Sequence, residues 1–154
     1  MSDMDEFIHD MDRKMSAKSF EYFFTEILGF DYSGHHKSWD EGLAENRYYC
    51  VKASRDHGKS VFFMSYALWL ATFNPGNHIM IFSHSLEQTL EHMRFIRQNI
   101  ENTPSIRYLI PEGRPWRKTY FESSHGSRIM AKSVGGGPRG FHPNVVLCDD
   151  ILWG

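Results

Sequence analysis

Ala53-Ser54-Arg55-Asp56-His57-Gly58-Lys59-Ser60 is the stretch on which the reading of the fold turns. Ahead of it Arg47 to Ala53, RYYCVKA, is dense in aromatic and β-forming residues and is predicted to be a strand. Behind it Val61 to Phe73, VFFMSYALWLATF, is apolar nearly all round and is predicted to be a buried helix. A phosphate-binding loop needs this setting: a strand to deliver the chain, a turn with inward N–H groups, and a helix N-terminus aimed at the anion. It also needs a Gly where a Cβ would meet phosphate, a Lys for the β- and γ-phosphates and a hydroxyl for Mg²⁺. Gly58, Lys59 and Ser60 supply these three, whereas Ala53 stands where the strict GxxxxGK[ST] pattern has its first glycine.

The flanking sequence extends the pattern. Asn74-Pro75-Gly76-Asn77 is a turn, and His78 to Ser83, HIMIFS, is predicted to be a second buried strand. Ser85 and Gln88 form a capping-box pattern before a helix with Leu86, Leu90, Met93, Ile96 and Ile100 at helical intervals, which Thr103-Pro104 ends. Thr119 to Glu122 and Ser127 to Lys132 are expected to form two short strands around His125-Gly126, and Val145 to Cys148 a third buried strand. Toward the N-terminus, Met4, Phe7, Ile8 and Met11 share one helical face, and Phe20, Phe23, Phe24 and Ile27 repeat it before Gly29 as C′ residue. Asp31 to Trp39 reads as a loop. Strand, helix, strand, helix, hairpin, strand predicts an α/β fold with a largely parallel sheet and helices on both faces.

The 154 residues are 41% hydrophobic and 23% charged, a globular composition that excludes collagen-like and disordered classes. The net charge of −2 conceals a division. Residues 1–45 carry eleven acidic and four basic side chains, and residues 46–154 carry eight acidic and thirteen basic. A basic body behind an acidic helical segment is compatible with a polyanionic partner, and also with ordinary solvated faces. The expected division is an acidic helical segment over 1–45 and a core carrying the loop motif over 46–154. Cys50 and Cys148 lack CxxC partners, which argues against a disulfide framework or zinc site and for a reducing compartment. The acidic N-terminus argues against export, and Val61 to Phe73 is too short to span a bilayer.

Nucleotide hydrolysis needs a strand-tip carboxylate for Mg²⁺ and a second group to activate water. Val145-Val146-Leu147-Cys148-Asp149-Asp150 offers both, with Asp149 as the Mg²⁺ carboxylate and Asp150 as the base; an Asp-Asp pair also occurs as a plain strand-to-loop turn. Arg55, inside the loop, would act in cis or sense the γ-phosphate. Arg139, after Gly-Gly-Gly-Pro, could act on a neighbouring subunit's nucleotide; for both the alternative is a surface ion pair. Arg94, Arg97, Arg107, Arg114, Arg117 and Lys118 form a candidate DNA-facing patch.

ASRDHGKS, IMIFSHSLEQTLEHMRFI, RPWRKTYFESSHGSRIMAKSVGG and RGFHPNVVLCDDI together resemble the ATPase domain of tailed-bacteriophage terminase large subunits, over about residues 35–152. That family relaxes the first loop glycine and places arginine third in the loop, as Ala53 and Arg55 do. It also has an Arg-Gly pair ahead of the strand-tip carboxylates, matched by Arg139 and Gly140. The resemblance implies a P-loop NTPase of the additional-strand, RecA-like type, incomplete at the C-terminus. It implies ATP held by the loop residues Ala53, Ser54, Arg55, Asp56, His57, Gly58, Lys59 and Ser60, Mg²⁺ on Ser60 and Asp149, and Arg139 as a trans-acting finger. His36 and Trp39 match the family's adenine-side segment, with core packing an equal reading for Trp39.

As partners the resemblance implies duplex DNA, a portal protein, a small terminase subunit and a homo-oligomeric ring, at the procapsid in the host cytoplasm and away from membranes. The sequence departs from the family in carrying Asp150 where most members have Glu, so the base is either Asp150 from a shifted backbone or a carboxylate beyond residue 154. The coupling segment and RNase H-like nuclease domain are not in this sequence, and the chain is expected to be the N-terminal portion of a longer protein. Two alternatives remain at this level: another P-loop translocase or helicase-like ATPase, and a nucleotide-binding module that does not hydrolyse.

Overall fold

The computed structural model describes residues 2–53, 58–113, 116–135 and 141–149, and its chain divides into two compact units, Met1–Phe62 and Phe63–Gly154. Helices are the only regular secondary structure among the described residues of the first unit. Helix α1, Asp3–Lys18, opens on a capping box in which the Ser2 side chain accepts from the Asp5 N–H and Asp5 accepts in return. After the Ser19 cap, helix α2, Phe20–Tyr22, widens into a π-turn, Phe23–Ile27. Gly29 closes it at φ +79°, a left-handed conformation costly for any residue with a Cβ, and the Phe30 N–H returns to the Phe24 carbonyl. Phe20, Phe23 and Phe24 are buried as their spacing predicts, whereas Met4, Phe7, Ile8 and Met11 of α1 are exposed.

Two expectations for this unit are corrected. The Gly- and His-rich stretch expected as a loop is largely helix α3, Gly34–Glu45. Its start is written in polar residues: Ser33 is the N-cap, and its N–H donates to Nδ1 of His36, which takes the place that Glu or Gln holds in a capping box. The segment 47–53 is not a strand. A strand needs a hydrogen-bonded neighbour, and no described residue of this unit is in a strand. Asn46 to Cys50 are exposed instead, with the Tyr49 ring lying over the bare Cα of Gly42 and its hydroxyl donating to the Ser38 carbonyl.

Helix α4, Lys59–Phe73, begins in the first unit and ends in the second. The second unit is an α/β body around a four-stranded open sheet of β1, His78–Ser83, β2, Tyr120–Glu122, β3, Arg128–Ser133, and β4, Val145–Asp149, in the order β2-β3-β1-β4. β1 pairs in parallel with β3 and β4, and β2 and β3 form the expected antiparallel pair, with Phe121 opposite Ile129. Helix α5, Leu86–Asn102, lies against β1 and β3, and a 3₁₀ turn over Pro104–Leu109 follows it. Ile79, Met80, Ile81, Ile96, Ile100, Leu109, Phe121 and Ile129 form the core. β4 is less enclosed than predicted. Among the described residues it is an edge strand whose Leu147 and Asp149 face the interior while Val146 and Cys148 are exposed.

Polar side chains finish the elements of this unit. The last carbonyls of α4 would be orphaned, and three groups meet them: Asn74 on Leu70, the Ser127 hydroxyl on Ala71, and Nε2 of His125 on Thr72. Nε2 faces a carbonyl and so donates, and Nδ1 of the same ring is 2.6 Å from the Ser123 hydroxyl. Asn144 brackets the other end of the sheet, its backbone N–H donating to the His78 carbonyl and its side-chain oxygen accepting from the His78 N–H. Among the described residues no helix is long and apolar enough to cross a membrane.

Candidate nucleotide turn and strand-tip carboxylate

In the first unit the described part of the loop motif is Ala53 and Gly58 to Ser60; Ser54, Arg55, Asp56 and His57 lie outside the described residues. Gly58 has φ +64°, and its carbonyl accepts the first backbone bond of α4 from the Phe62 N–H at 3.0 Å. It is therefore the point where the chain turns into the helix. A Cβ on Gly58 would meet nothing within 4 Å in the described chain, so with respect to the protein itself it is the backbone conformation that favours glycine here. Lys59 and Ser60 follow in the first turn of α4, both half-buried.

His36 and Trp39 lie on α3 and are packed as core side chains, each 7% exposed. The His36 ring stacks on Phe62 at 5.2 Å and 13°, and Trp39 meets the same ring edge-on. Phe20 and Phe24 complete the cluster. The core reading of Trp39 describes its surroundings. Beside the cluster, Tyr32 donates to Asp40 Oδ2 at 3.2 Å. Burial raises the Asp40 carboxyl above the usual Asp range, against that hydrogen bond, with Glu21 and Glu41 adding to the rise.

In the second unit the strand-tip carboxylate of the sequence reading is Asp149, the last residue of β4. In the β1–β4 register Asp149 lies opposite Ser83, so both stand at the C-terminal edge of the sheet, where parallel α/β folds bind their ligands. Asp149 is 5% exposed, and its Oδ2 is 3.0 Å from Nε2 of His92 on α5. Nδ1 of the same ring is 2.9 Å from the Ser83 hydroxyl. A carboxylate only accepts, so Nε2 carries the proton, and in the neutral ring Nδ1 accepts from Ser83. Ser83, His92 and Asp149 thus form a continuous buried string across β1, α5 and β4. It is not a nucleophilic triad, because Ser83 has no exposed surface and no substrate can reach its oxygen.

His92 was not among the sequence-derived candidates, although the signal was there. Thr89, His92, Met93, Ile96 and Ile100 share the buried face of α5, so a histidine continues an apolar stripe and must be hydrogen-bonded at both nitrogens. Asp150 and Arg139 lie outside the described residues, as does Arg114 of the basic set. Of the others, Arg97 sits over the Trp116 ring at 4.5 Å and Arg107 donates twice to the Glu101 carbonyl, whereas Arg94, Arg117 and Lys118 are exposed. No protein-family model matches the chain, and no curated protein is significantly similar to it in sequence.

Proposed function

We propose that the chain is the ATP-hydrolysing part of a terminase large subunit, a P-loop NTPase that couples hydrolysis to movement of viral duplex DNA. The observation that carries this reading is the left-handed Gly58 that opens α4 directly ahead of Lys59 and Ser60. In it the Gly58 to Ser60 turn binds the phosphates, with Lys59 against the β- and γ-oxygens. Asp149 and the Ser60 hydroxyl would be the Mg²⁺ ligands that the resemblance implies. Their donor chemistry fits, since this ion takes hard oxygen ligands and binds through one or two carboxylates together with substrate phosphates. When bound, the metal offsets phosphate charge and orients the transferring group.

Asp150 activates water and Arg55 and Arg139 stabilise the developing charge, Arg139 on a neighbouring subunit's nucleotide. Duplex DNA, the portal, a small terminase subunit and a subunit ring enter with the resemblance. A single-turnover ATPase assay tests the proposal. Wild-type turnover is expected to fall by at least about 100-fold in Lys59→Ala and in Asp150→Ala, the order attributed to lost electrostatic or acid–base groups. Loss in Lys59→Ala with retention in Asp150→Ala refutes the base assignment, and wild-type nucleotide binding without turnover replaces hydrolysis by a binding role.

A further inference from the structure

We infer that His92 and Ser83 are positioning residues for the strand-tip carboxylate: the string Ser83 to His92 to Asp149 holds Asp149 in one orientation and thereby sets the protein's affinity for a divalent cation. The inference rests on the nucleotide reading of the site above. Three observations lead to it. The string is buried end to end, with Ser83 at 0%, His92 at 5% and Asp149 at 5% exposure, so water does not substitute for its members. Its contacts are at hydrogen-bonding distance, 2.9 and 3.0 Å, and because a carboxylate only accepts, the one to Asp149 puts a proton on Nε2. Its anchors are rigid: Ser83 and Asp149 are cross-strand neighbours, the Ser83 carbonyl accepts from the Val134 N–H, and His92 is in the middle of a 17-residue helix.

A carboxylate at a strand tip has a free χ2, and a metal ligand gains from losing that freedom before the cation arrives. One N–H from His92 occupies one of about four lone-pair positions on Asp149 and fixes the plane of the group. Ser83 does the same for His92, since its hydroxyl, able to donate or accept, holds the Nδ1 edge of the ring in place. The arrangement is the outer support that metal ligands ordinarily receive, whose loss typically costs about 10–100-fold in metal affinity.

The test uses the 154-residue chain with Mn²⁺ as a paramagnetic probe for the cation, titrated in the presence of saturating ADP, beside ADP binding in excess EDTA. His92→Gln keeps an amide donor near the Nε2 position, and His92→Asn keeps a polar group near Ser83 but withdraws the donor from Asp149. His92→Asn is expected to weaken Mn²⁺ binding by about 10–100-fold with ADP binding in EDTA unchanged, His92→Gln to stay close to wild type, and Ser83→Ala to fall between them. Circular dichroism and a cooperative melt establish that each variant is folded. Equal Mn²⁺ affinity in wild type and His92→Asn overturns the inference, as does a loss in His92→Gln as large as in His92→Asn, because the ring's packing and not its N–H would then matter. Wild-type protein that takes up neither ADP nor Mn²⁺ sinks the nucleotide reading and this inference with it. Wild-type protein that takes up both while His92→Asn matches it sinks this inference alone.

Discussion

Gly58 and Asp40 show how single residues carry more than their type suggests. At Gly58 the cost of a side chain is conformational, since φ is +64° and the space beside it is open. Gly58→Ala is expected to lower stability by about 1–2 kcal/mol, and Gly58→Asn by less, because asparagine tolerates the left-handed region. Urea unfolding of both variants separates this from steric conflict, which would penalise the larger asparagine more. Asp40 behaves in the opposite sense to most carboxylates. Burial holds its pKa up, so the native state binds the proton more tightly than the unfolded chain. Its contribution is therefore fully present below the ordinary Asp value and is lost as pH rises through the native one. Asp40→Asn keeps an acceptor for Tyr32 and removes the titration. Relative to wild type its urea midpoint is expected to rise between pH 4 and pH 7, and a parallel shift of the two curves would refute the assignment.

Among the elements, α4 and α5 are finished by side chains from elsewhere in the chain. Ser85 caps α5 by accepting from the Gln88 N–H, while Gln88 accepts from His84, so half of the expected capping box forms. Ser85→Ala is expected to cost about 1 kcal/mol in denaturant unfolding. At the end of α4, Ser127 and His125 come from the β2–β3 turn, and removing either leaves a helix carbonyl and its neighbours unpaired. Ser127→Ala is expected to cost about 1–3 kcal/mol, the larger value because Ser127 is fully buried. The capping residues of α5 were legible because a cap lies within three residues of what it satisfies. The α4 cap was not, because His125 and Ser127 lie more than fifty positions from their carbonyls. The loop expected over Asp31 to Trp39 fails for a local reason: the stretch is rich in glycine, histidine and aspartate, yet Ser33 and His36 act as a helix start.

Over the whole molecule, charge and topology decide what the surface offers. The basic set is divided in use: Arg97 and Arg107 are spent on Trp116 and the Glu101 carbonyl, and Arg94, Arg117 and Lys118 face solvent. If duplex DNA is the partner, Arg117→Glu is expected to weaken binding regardless of sequence and to lower the slope of log affinity against log salt by about 1 to 2. Arg97→Glu is expected to lower stability as well, through the lost stacking on Trp116. Unchanged salt dependence in Arg117→Glu would remove this face from the DNA proposal.

By itself the sequence determined the α/β class, the β2–β3 pair, the parallel strands His78–Ser83 and, as Val145–Cys148, β4, and the long helix between the first of these and the hairpin, because each is announced by periodicity or turn residues within a few positions. It also located Gly58 and Asp149, since strand and helix ends are marked locally. Only the tertiary structure decided that segment 47–53 lies outside a sheet, that β4 is half exposed, and that Asp149 is met by His92 and Ser83. These depend on which partners a strand or side chain finds. Ser83 and Asp149 are 66 residues apart and become neighbours through strand pairing, a non-local choice that no local pattern encodes.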